Sequence, residues 1–163
     1  MELVRASEQQ ASPLRRDAQS PAGSTWPLWD QAYHFELGHI INSAIVDAIS
    51  PPRVGELGSH HAGLWECNLA DETLTWSGGV YDLFGLERQS SISREQALAH
   101  YTEESRARLE RIRTDAIRQR CGFTLDVEIR AAAVGKVRKI RLIGAPAYVG
   151  ELAVRIHGLK LVI

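Results

Sequence analysis

Residues 63–86 read GLWECNLADETLTWSGGVYDLFGL, and few structures accommodate this run. Trp65, Cys67 and Leu69 alternate with Glu66 and Asn68, the period-two pattern of a strand with one buried face. Asp71-Glu72 supplies a turn. Leu74 and Trp76 then alternate with Thr73 and Thr75 in a second strand, too close to the first for anything except a hairpin. Ser77 stands as a helix cap, Val80, Leu83 and Phe84 share one helical face, and Gly85 is placed to end the helix in a left-handed conformation. Two tryptophans on adjacent strands should therefore reach the same core.

The alternation recurs in the last third of the chain. Phe123, Leu125, Val127 and Ile129 alternate with Thr124, Asp126, Glu128 and Arg130, and a turn through Ala133-Val134-Gly135 leads to a strand over Val137–Gly144. Placing Asp126 opposite Arg141 sets Glu128 opposite Lys139, Leu125 opposite Leu142, Val127 opposite Ile140 and Ile129 opposite Arg138. Charges then complement on one face and hydrophobes meet on the other, as cross-strand energetics prefer. In that register Asp126 and Glu128 form a surface ladder rather than a general acid and base. A last hairpin passes through Pro146 and Gly150 into Leu152–Ile163, with a bulge expected at Gly158, where the phase of the apolar residues changes.

Helices fill the interval. Ser93 and Gln96 form a capping box for a short helix through Leu98. A longer helix spans Glu103–Arg120 with a narrow stripe of Leu109, Ile112, Ala116 and Ile117. Its six arginines read as a solvated face laced with Glu110 and Asp115, because no aromatics are interleaved as a nucleic-acid surface would need. Upstream, Asp30 caps a helix in which Tyr33, Leu37, Ile40, Ile41, Ala44, Ile45, Ala48 and Ile49 make a wide apolar stripe, ended by Ser50-Pro51-Pro52. Such a stripe needs a mate, either the outer face of its own sheet or the same helix in a second copy. The expected organisation is a disordered leader over 1–28, an amphipathic helix over 29–50, a linker over 51–62 and one domain over 63–163. The fold class is α+β, a five-stranded antiparallel sheet with helices on one face.

Charge and composition narrow the function. A net charge of −1 gives no global case for nucleic acid or membrane partners. No segment approaches the about 18 apolar residues of a membrane span, and the opening residues carry no signal-peptide core, so a cytoplasmic location is expected. Cys67 and Cys121 have neither metal-ligand nor disulfide-framework spacing. His34 and His39 are five apart rather than four, and adjacent His60 and His61 would point to opposite faces of a strand, so neither pair suits a metal. With no Ser-His-Asp pattern and no glycine-rich phosphate loop, the reading is non-catalytic.

Taken together, these residues resemble the PAS domain family, in particular the subgroup whose core opens on a Gly-x-Trp strand. The likeness covers Gly63–Ile163. Trp65, Trp76, Ser77 and Leu83-Phe84-Gly85 fit the family's first hairpin and helix, and Arg130, Gly135, Arg138, Gly144, Pro146 and Gly158 fit its last three strands. The chain departs from the pattern in HYTEESR, which keeps His100 and Arg106 without the usual proline and aspartate, in Val134-Gly135 where Asp-Gly is usual, and at Val162-Ile163, which lacks the closing aspartate.

The resemblance implies a sensory or interaction module for signal transduction, acting with a signalling partner; the apolar stripe of the upstream helix adds the expectation of a homodimer through Tyr33, Leu37, Ile40, Ile41, Ala44, Ile45 and Ala48. It implies a small-molecule cavity between sheet and helices, lined by Trp65, Cys67, Trp76, Phe84, Leu98, Ile112, Leu125, Val127, Ile140 and Leu142, although an alternating strand would bury the same residues as plain core. No flavin-adduct Asn-Cys-Arg-Phe motif is present, and the long helix holds no histidine for haem, leaving only His100 just before it. The cofactor stays unassigned. A partner-binding module with a filled core and a small enzyme using the cavity remain as alternatives.

Overall fold

Alternation in the sequence becomes one antiparallel sheet. The computed structural model describes residues 38–47, 61–133 and 135–163. Its strands are β1 (His39–Ile41), β2 (Ala62–Asn68), β3 (Leu74–Trp76), β4 (Gly122–Arg130), β5 (Val137–Val149) and β6 (Leu152–Val162). They lie in the order β1-β4-β5-β6-β2-β3. The helices are α1 (Ser43–Asp47), α2 (Gly78–Phe84), α3 (Arg94–Ala99) and α4 (Glu103–Gln119). The main core lies between the sheet and α2, α3 and α4, with Phe84, Phe123, Leu125, Val127 and Ile140 fully buried. None of the helices among the described residues is long and apolar enough to cross a membrane.

The β4–β5 register is the expected one, pairing Asp126 with Arg141, Glu128 with Lys139, Leu125 with Leu142 and Val127 with Ile140. Asp126 is buried and accepts two bonds from Arg141, at 2.7 and 2.9 Å. Arg138, opposite Ile129, reaches the end of α2 and donates to the Leu83 carbonyl at 2.7 Å, satisfying a helix C-terminal acceptor. The bulge falls elsewhere than expected. Gly158 faces Gly144 in regular pairing, and the register shifts between Ala147 and Tyr148. Gly158 serves close approach instead, since a Cβ there would lie 1.9 Å from the Ile143 carbonyl oxygen.

Local signals also decide the helices. Gly85 closes α2 at φ 68, while the Ser77 side chain makes no cap bond and instead accepts from the Leu64 N–H at 2.9 Å, tying α2 to β2. Ser93 and Gln96 form the expected capping box on α3. Ser93→Ala is expected to cost about 1 kcal/mol, read as a lower urea midpoint with unchanged slope.

The sheet has six strands rather than five, and the sixth arises where a continuous helix over 29–50 was expected. Within the described part of that stretch, Gly38 adopts φ +86, a conformation that interrupts a helix, and a Cβ there would press on Ile112 and Leu125 at 3.1 and 3.3 Å. His39–Ile41 then pairs with Gly122–Thr124, giving the edge of β4 a partner for its backbone groups. Ile40 packs on the main core. Asn42 accepts from the Ala44 N–H at 2.9 Å, and only the five-residue α1 follows. Of the stripe assigned to a dimer, Tyr33, Leu37 and Ala48 and the side chain of Ile45 lie outside the described residues; Ile41 is half-buried and Ala44 exposed. The leader over 1–28 and almost all of the linker over 51–62 also lie outside them.

Candidate functional site

Three elements converge beneath α3 and α4. On β2, Trp65 and Cys67 stand two residues apart and so point to the same face; the hairpin sets Trp76 opposite Trp65 and Leu74 opposite Cys67. The turn that makes this possible is stapled by side chains: Asn68 accepts from the Ala70 N–H and Asp71 from the Thr73 N–H, with Glu72 at φ 59. β6 runs antiparallel to β2 on its other side and places Lys160 opposite Gly63, on the face that carries Trp65. These residues, with Leu98, Tyr101, Leu142 and Ile156, line a cavity of about 50 Å³, space for roughly three or four water-sized molecules. Two larger hollows, of about 380 and 660 Å³, open broadly to solvent around His157 and around Ser91.

Lys160 dominates the electrostatics. It is only 5% exposed, and its Nζ lies 4.7 Å from the ring centre of Trp76, 4.9 Å from Phe84, 5.3 Å from Trp65 and 5.7 Å from Tyr101. The rings pack on one another as well, Trp76 against Phe84 at 4.8 Å and Phe84 against Tyr101 at 5.7 Å. A desolvated cation gains on the order of 2 kcal/mol from an aromatic face, but stripping water from an ammonium costs several kcal/mol. Desolvation wins, pushing the Lys160 ammonium down from 10.5 to about 7, with Cys67 acting in the opposite direction. Burial likewise pushes the Tyr101 phenol up. It raises the Cys67 thiol too, against the lowering influence of Arg113 and Arg94.

The charged residues at the rim are paired among themselves. Arg94 of α3 binds Glu110 of α4 and lies 3.5 Å from Glu72 in the β2–β3 turn. Arg113 of α4 lies 3.5 Å from the same Glu72 oxygen. Inside, the indole N–H groups of Trp65 and Trp76 are buried and meet no acceptor. The cavity is thus lined by a buried amine, by two tryptophans whose indole donors are buried, by apolar side chains and, at its rim, by the paired Arg94, Glu110 and Arg113. No cluster of three or more His, Cys, Asp or Glu side chains placed for a metal ion occurs among the described residues.

Of the residues proposed from the sequence to line a ligand cavity, Trp65, Cys67, Trp76, Leu98 and Leu142 are brought together around this one. Phe84, Ile112, Leu125, Val127 and Ile140 lie elsewhere in the same core, the Phe84 ring centre 4.9 Å from the Lys160 Nζ. His100 is not part of the lining; its Nδ1 lies 3.1 Å from the Arg130 carbonyl oxygen. Lys160, Tyr101, Arg94, Glu110 and Arg113 line the cavity and were missed. Lys160 was legible in principle, because Ile156, Gly158 and Lys160 keep one phase along β6. The bulge expected at Gly158 would have broken that phase.

No protein-family model and no curated protein sequence matches the chain. Solved structures do. The chain is similar to a sensory box histidine kinase/response regulator from Burkholderia thailandensis, with TM-score 0.58 at 18% identity over 70% of this chain and 85% of that one. It is similar to the N-terminal domain of a diguanylate cyclase with PAS/PAC sensor from Marinobacter aquaeolei, with TM-score 0.56 at 14% identity over 62% of this chain and 94% of that one. An RNA-binding light-oxygen-voltage receptor gives TM-score 0.55 at 10% identity over 63% of this chain, which spans 29% of that receptor's length. Identities this low speak to architecture alone. The antiparallel sheet, with α2, α3 and α4 gathered on one face and the short α1 packed on the other, where Val46 meets Gly122, agrees with these likenesses: the chain has a PAS-like α+β fold.

Proposed function

We propose that the chain is a non-catalytic PAS-type sensory module that takes a small molecule into the cavity beneath α3 and α4 and passes the change to a signalling partner through surface contacts. The observation that carries this reading is the placement of Lys160, a buried amine held by four aromatic rings on the wall of a cavity between sheet and helices. A packed core has no use for a cation there, because an apolar side chain of similar volume would serve at lower cost. The similar sensor portions of a histidine kinase/response regulator and a diguanylate cyclase support the signalling role. Self-association through the segment around Ala44 belongs to the same reading, and light scattering of the full chain tests it; a monomeric mass would remove the dimer.

A second reading is favoured by the volume. At about 50 Å³ the cavity is far smaller than the space a flavin or haem occupies, which suits a partner-binding module whose core is filled in part by Lys160. Thermal melting against a panel of small polar compounds separates the two. The sensory reading expects at least one compound to raise the midpoint by several degrees, as any ligand of the native state must. A flat panel, together with a native mass spectrum of the bare polypeptide, would favour the filled core.

A further inference from the structure

We infer that the cavity beneath α3 and α4 is a binding site for a short aliphatic carboxylate, whose charge is balanced by Lys160 and whose oxygens accept from the indole N–H groups of Trp65 and Trp76. This rests on the sensory reading above and names the chemical class of its ligand. Three independent features converge on it.

The first is charge. Lys160 faces Cys67 of β2, Tyr101 ahead of α4, Arg94 of α3, and Glu110 and Arg113 of α4, all around one cavity. The one carboxylate in this set, Glu110, is bound to Arg94, and Glu72 behind it lies 3.5 Å from both Arg94 and Arg113. Aromatic faces attract an ammonium but cannot cancel its charge, so the amine either sheds its proton near neutrality or, when protonated, takes its counter-ion from outside this lining. The second is hydrogen bonding. The Nε1 atoms of Trp65 and Trp76 are buried donors without acceptors, and Trp76 is only 8% exposed. An indole N–H can only donate, so the partner it takes is an acceptor oxygen, which a carboxylate supplies. The third is size and polarity. About 50 Å³ admits a molecule of roughly four to six heavy atoms, and Leu98, Leu142 and Ile156 offer apolar contact for a short tail. A neutral amide or alcohol would satisfy the indoles and leave the cation unanswered.

Binding then draws a proton onto Lys160. Because burial holds the free amine near 7, a carboxylate that requires the ammonium should bind about tenfold more weakly at pH 8 than at pH 6, and at pH 8 should take up close to one proton per ligand. Calorimetric titration of the full chain with sodium acetate and sodium propionate, in buffers of different ionisation heat, reads both quantities. Acetamide and propionamide are the neutral controls. The expected result is saturable binding of the salts and none of the amides, loss of binding in Lys160→Met, and affinity reduced about tenfold in Trp76→Phe, which keeps the ring and removes one donor. Amides that bind as well as the salts, or salt binding that ignores pH and survives Lys160→Met, would overturn the carboxylate while leaving a ligand cavity in place. Silence from salts and amides alike overturns the carboxylate, and the thermal panel then decides whether the sensory reading falls with it.

Discussion

Gly158→Ala is expected to cost more than about 4 kcal/mol and to leave little folded protein. A Cβ at this position would stand 1.9 Å from the Ile143 carbonyl oxygen and 2.8 Å from the Gly144 Cα. Both obstacles are backbone in the longest hairpin of the sheet, so relief requires the strands to part rather than a side chain to turn. Overpacking against movable side chains costs about 1–3 kcal/mol, and a backbone clash at the sheet centre exceeds that. Gly150→Ala is the control. That glycine sits at φ 58 with nothing within 4 Å of an added Cβ, so only the left-handed strain of about 1–2 kcal/mol applies. Urea unfolding of the two variants measures the contrast, and near-equal stabilities would contradict the close approach of β5 and β6.

Stability should rise by about 2 kcal/mol between pH 7 and pH 9, and Lys160→Met should abolish the rise. In the folded chain the ammonium titrates near 7, against 10.5 for an ordinary lysine. Over this window the unfolded state keeps a proton that the folded state gives up, so the free energy of unfolding climbs with pH at up to about 1.4 kcal/mol per unit. Below about pH 6 the burial penalty is complete and the lysine contributes no further slope. Above pH 9 Cys67 works the other way: its thiol is held protonated by burial in the folded state and ionises first when unfolded. Methionine matches lysine in length without the charge, so the variant should be at least as stable as the parent at pH 7. Chemical unfolding at several pH values checks the slope, and a parent profile that is flat from pH 7 to 9 would show that Lys160 is hydrated.

The sheet was legible wherever sequence alternation coincided with a buried face. Asp126, Glu128, Lys139 and Arg141 set the β4–β5 register because a one-residue slip would have placed charges among Leu125, Val127 and Ile140. The edge strand β1 was hidden for the opposite reason. Ile40 and Ile41 satisfy a helical stripe as well as a strand, and what decides between them is the unpaired edge of β4, over 80 residues further along the chain. The site was legible as a set of apolar walls and illegible as chemistry. Trp65, Cys67 and Trp76 announce themselves by phase; Lys160 stands in an apolar run where a charged residue reads as exposed, and only the continuous pairing of β6 turns it inward.

The position of β6 also shapes how the chain can acquire its structure. It is the latest of the six strands in sequence, yet it lies between β5 and β2. β4, β5 and β6 follow one another and can assemble by local hairpins, whereas β2 finds its partner only across some ninety intervening residues, Asn68 meeting Arg155. Closing so long a loop is slow. During synthesis the Trp65–Trp76 hairpin must therefore wait, exposed, until nearly the whole domain has left the ribosome. The step that completes the sheet is the same one that carries Lys160 in among the aromatic rings.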